Sequence, residues 1–93
     1  MKSLPAVLSA LAVPALIWAV PAAADEDAFV DRFTTKHAFL TEEQLRAEGP
    51  RICAVLGSGV PASEAVAMVQ DDLGVSVPAA FEIISAAITT YDC

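Results

Sequence analysis

Few residues in this chain could do chemistry, and the two cysteines come first. Cys53 lies in Arg51-Ile52-Cys53-Ala54-Val55-Leu56-Gly57, and Cys93 stands 40 residues further on. No Cys-x-x-Cys spacing is present, so the pattern of a dithiol redox site is missing. An even cysteine count in an exported chain pairs instead, and a Cys53–Cys93 disulfide is expected. His37 is the single histidine and Tyr91 the single tyrosine. Both residue types ligate haem iron, so His37 and Tyr91 are the candidate binding residues if the protein carries haem or another apolar ligand. The plainer reading of His37 is a surface histidine at a helix end. Gly57-Ser58-Gly59 is followed by Val60-Pro61, where a phosphate loop needs Gly-Lys-Ser/Thr. Its glycines flank Ser58 directly, whereas a nucleophile elbow sets them two residues away. Glu42-Glu43 and Asp71-Asp72 are neighbouring carboxylates, which on a helix point to different faces and chelate poorly. No catalytic residue set and no metal site can be assembled from these pieces. The chain is therefore read as non-enzymatic, with no metal, and with haem only as the alternative.

These residues need a scaffold, and the chain is short. It has 93 residues, enough for one domain. Residues 1–24 read as a signal peptide: Lys2 supplies a positive start, Leu4 to Val20 is an apolar run, and Ala22-Ala23-Ala24 offers a small-residue cleavage site. A retained membrane anchor is the rival reading. Pro5, Pro14 and Pro21 interrupt the run, and acids follow at once, so cleavage after Ala24 is favoured and no stable membrane span remains. The mature form is then 25–93, secreted or held at the cell envelope. Lys2 leaves with the leader, so five bases become four against twelve acids, and the mature net charge is −8. Nucleic acid, which demands Lys/Arg clusters, is excluded as a partner. A chain this small buries only about 60% of its unfolded surface, which calls for a covalent staple.

The apolar spacing calls for helices. Asp25-Glu26-Asp27 suits a helix N-terminus, and Phe29, Val30 and Phe33 follow at helical spacing, so a first helix is expected over about 27–36. Thr41 and Gln44 form a capping-box pattern opening a second helix over about 42–56. Pro50 interrupts it after Gly49. Leu45, Ile52 and Leu56 stay in phase across the proline, which favours a kink over a break. Gly57 suits a left-handed cap, and Pro61 suits the first position of a third helix. Ala62, Val66, Val69 and Leu73 are that helix's expected stripe, and Gly74 its stop. Ser76 can cap a last helix in which Phe81, Ile84 and Ile88 recur toward Tyr91 and Cys93. The fold class expected is all-α, a compact bundle of about four short helices closed by Cys53–Cys93.

Three stretches carry a resemblance: Asp27-Ala28-Phe29-Val30, then Cys53-Ala54-Val55-Leu56-Gly57-Ser58-Gly59, then Ala86-Ala87-Ile88-Thr89-Thr90-Tyr91-Asp92-Cys93. Over nearly all of 25–93 the chain resembles a mycobacterial and actinobacterial family of small secreted proteins, a domain of unknown function. Two features depart from that family's pattern. Asp92 separates Tyr91 from Cys93, and Thr35-Lys36-His37-Ala38 stands where the first helix usually ends at a glycine. The resemblance implies a helical fold, a disulfide and export, and no established activity. The function expected is a secreted or envelope-associated, non-catalytic interaction module whose partner is an unidentified protein or envelope component. The alternative is a carrier of haem or another apolar ligand.

Overall fold

The computed structural model describes residues 24–93. The leader expected over 1–24 lies, apart from Ala24, outside the described residues. Four helices and no strand are found among them. Helix α1 covers 24–36, α2 Glu42–Gly57, α3 Ala62–Leu73 and α4 Val77–Tyr91. No single helix among the described residues is long and apolar enough to cross a membrane.

Local chemistry explains the boundaries. Thr41 Oγ1 accepts from the Gln44 N–H at 3.1 Å, and Gln44 Oε1 accepts from the Thr41 N–H at 2.9 Å, so the capping box forms in full. Helix α2 runs unbroken through Pro50. Gly57 stays helical; the left-handed turn falls instead at Gly59, with φ +93°. Pro61 is the N-cap of α3 rather than its first residue. Gly74 closes α3 in the left-handed region, as expected, and Ser76 caps α4 by accepting from the Ala79 N–H at 3.4 Å. Between α3 and α4 the chain turns by 106°.

Helix α4 is the centre of the bundle and packs against α2 and α3. It lies antiparallel to α1, since Tyr91 meets Glu26 at one end and Glu82 meets Lys36 at the other. Phe33, Leu45, Ile52, Val69 and Ile83 are the largest fully buried side chains. The expected α3 stripe shifts by one position, and α4 turns two of its large residues outward. In α3 Ala65 is buried and Ala62 exposed. In α4 the inward arc is Ala80, Ile83, Ile84 and Ala87, whereas Phe81 is 52% and Ile88 39% exposed. A helix approached from several sides needs small residues at the contacts, so alanines line the inside and bulkier groups turn outward.

Cys53 and Cys93 are joined, with Cα atoms 5.5 Å apart. The bridge ties α2 to the end of α4. Asp92 makes this reach feasible: it caps α4 in the left-handed region at φ +56°, and the Cys93 N–H then donates to the Ile88 carbonyl at 3.1 Å. The residue intervening between Tyr91 and Cys93 is absorbed in that single turn. Aspartate tolerates this conformation better than most side chains.

Candidate functional site

The densest polar cluster lies where α1, α2 and α4 meet. Tyr91 lies over Gly49 of α2, where even a Cβ would come within 2.1 Å of the ring. Phe29 of α1 meets the same ring edge-on at 5.9 Å. The Tyr91 hydroxyl donates to Glu26 Oε2 at 2.7 Å. The other oxygen of Glu26 accepts from Arg46 Nη1 at 2.7 Å, and Arg46 Nη2 reaches Asp27 at 2.8 Å and Glu42 at 2.9 Å. One guanidinium thus gathers three carboxylates from two helices. Asp27 first and Glu42 second hold Arg46 above its ordinary pKa. Burial first, and Glu26 second, push the Tyr91 phenol up to about 12. This joint is saturated: each polar end already has a partner.

His37 stands elsewhere. It follows α1, its ring 5.9 Å from that of Phe39, and its Nε2 is buried with no hydrogen-bond partner among the described residues. Tyr91 meets α1 at Glu26, eleven residues earlier, or about 16 Å along a helix. The structure therefore does not bring His37 and Tyr91 to a common point. The Ser58 hydroxyl donates to the Val55 carbonyl at 2.8 Å and serves the turn. Among the described residues no group of three or more His, Cys, Asp or Glu side chains could hold a metal ion.

An open groove of about 570 Å³ runs between α1 and α4, lined by Ala28, Arg32, Phe81, Glu82, Ser85 and Thr89 among others. Phe29 lines it as a buried ring and Phe81 as a half-exposed one. Val77, 46% exposed, and Ile88 share a stripe of α4 with Phe81. Lys36 is paired with Glu82, whose carboxyl it draws below the usual range. Arg46 and Arg51 are paired on other faces. Arg32 makes no ion pair among the described residues; it lies over the Phe33 ring, 4.9 Å from its centre, and lines the groove. Helical spacing groups Phe81 and Ile88 with the buried Ile84 and says nothing of Arg32. The signal available was the surplus of large apolar positions on α4 beyond what one inward arc can hold.

Together these features define a small all-α domain locked by one disulfide, with an open groove on its surface. The chain belongs to a family described as proteins of unknown function (DUF732), whose family model matches residues 25–93. No curated protein and no solved structure matches it.

Proposed function

We propose that the protein is a non-catalytic interaction module, exported to the outside or to the envelope of a mycobacterial-type cell, and that it grips its partner in the α1–α4 groove. The observation that carries this reading is Phe81: a large aromatic ring, half exposed, lining an open groove beside Ala28, Ser85 and Ala86. An exposed aromatic beside such a depression is the usual anchor of a binding surface. The leader pattern supports export. Arg32 lines the same groove and makes no ion pair among the described residues, although its charge reaches Glu82. The occupant that fits is a partner segment presenting an apolar side chain next to a carboxylate. The rest of the acidic surface repels other acidic proteins, so the groove is where attraction is local. A haem or apolar-ligand carrier would have to work without a joint His37–Tyr91 site.

The test is a photo-crosslinking residue in place of Ser85 in the intact chain, exposed to envelope extract. Capture should be lost in Arg32→Glu, fall in Phe81→Ala, and yield a crosslinked segment with adjoining acidic and apolar residues. Equal capture by Arg32→Glu, or by a crosslinker at exposed Ala67 of α3, overturns the reading.

A further inference from the structure

The seam between α2 and α3 holds a carboxyl group with no role in the groove. Glu48 is only 4% exposed, on the same face of α2 as Leu45 and Ile52. Its Oε2 is buried and has no hydrogen-bond partner among the described residues. Asp72 of α3 lines the same depression across the seam. The cation at this place, Arg51, is engaged with Asp72, Nε to Oδ2 at 2.9 Å. Gln44 and Ala47 of α2 and Leu73 of α3 complete the surround. Among the described residues Asp72 and Arg51 are the charged groups that stand beside Glu48. Two carboxyl groups are thus set against one guanidinium.

We infer that Glu48 and Asp72 share one proton, and that ionisation of Glu48 releases α3 from the rest of the bundle. Two neighbouring carboxyl groups, one of them buried, resist being charged together when one counter-ion serves the pair. With the proton in place, Glu48 donates to Asp72, and Asp72 keeps Arg51. Burial first, then contact with Asp72, push the Glu48 carboxyl up to about 7, against the pull of Arg51. In the opened seam it returns toward its ordinary 4.5. The closed form therefore holds the proton more tightly. Its advantage is complete below about 4.5, shrinks as the pH climbs, and is gone above about 7.

Helix α3 is the element that yields, because the others are cross-tied. The disulfide holds α2 to the end of α4. Helix α1 is held by Arg46, by Tyr91 and through Lys36–Glu82. Arg51–Asp72 is the polar link that α3 makes to another helix among the described residues.

The test follows the Glu48 side-chain carbon by NMR in the intact, disulfide-closed protein from pH 4 to 8.5, together with amide exchange corrected for its intrinsic pH dependence. Glu48 should titrate with a midpoint near 7. Opening of α3 should rise up to about tenfold per pH unit between 4.5 and 7, then level off. Glu48→Gln, which keeps a donor toward Asp72, should hold α3 closed throughout. Should that variant not fold, Asp72→Asn must lower the Glu48 midpoint. A midpoint at the ordinary value, a flat α3 profile, an unchanged slope in Glu48→Gln, or an unmoved midpoint in Asp72→Asn overturns the inference.

Discussion

The Tyr91 hydroxyl donates to Glu26 across 65 residues of sequence, at 2.7 Å, and so fastens the end of α4 to the start of α1. Removing only that oxygen isolates the bond. Tyr91→Phe is expected to lose about 1 kcal/mol, since the acceptor is charged but half-exposed, and to lower Tm by about 4–8 °C. Thermal melts followed by circular dichroism measure it.

The same contact sets a titration. Burial and the Glu26 carboxylate hold the Tyr91 phenol neutral up to about 12, whereas an unfolded tyrosine ionises near 10. The joint is expected to be fully intact below pH 10, and its contribution to be lost as the pH rises through about 12. Phenolate absorbance shows this directly: a midpoint near 10 in the folded protein contradicts the hydrogen bond.

Gly49→Ala should change sign with its neighbour. In the native background a Cβ meets the Tyr91 ring at 2.1 Å, and the collision is expected to cost about 1–3 kcal/mol. In a Tyr91→Ala background the ring is gone, and the same substitution should stabilise by up to about 1 kcal/mol through helix propensity. Urea denaturation of the four proteins of this cycle gives both values.

How much of this was legible in the sequence depends on range. The capping box of Thr41 and Gln44, the stop at Gly74 and the Ser76 cap are local chemistry, and the sequence carried each one. The cysteine pairing followed from count and compartment. Gly49, by contrast, reads locally as a weak point before Pro50. Its purpose is a contact with Tyr91, which no local window contains. On α4 helical spacing alone does not tell inside from outside: Phe81 and Ile88 are large and apolar, yet the inward arc is mostly alanine and isoleucine. Glu48 did leave a trace. It sits three residues after Leu45 and four before Ile52, on the apolar face, so periodicity alone places an acid inside.

Arg46→Gln is expected to free α1 selectively. The guanidinium is the shared partner of Glu26, Asp27 and Glu42, and its loss should speed amide exchange in 27–36 while leaving α3 unchanged. Hydrogen-exchange mass spectrometry resolves the two segments. Equal acceleration in both would show that α1 is not held there.

Reduction should be costly. The bridge spans 40 residues, and closing such a loop is worth roughly 4 kcal/mol in the chain-entropy account. The paired Cys53→Ser and Cys93→Ser variant is expected to unfold at much lower urea, and added reductant should bring the native protein to the same midpoint.

The bridge also divides the molecule. It draws a covalent ring through 53–93 and leaves α1 outside, a strap laid over the ring and held only by side chains. Ring and strap therefore answer to different solvents. A reducing environment opens the first, while salt concentrated enough to screen Arg46 from its carboxylates loosens the second with every covalent bond intact.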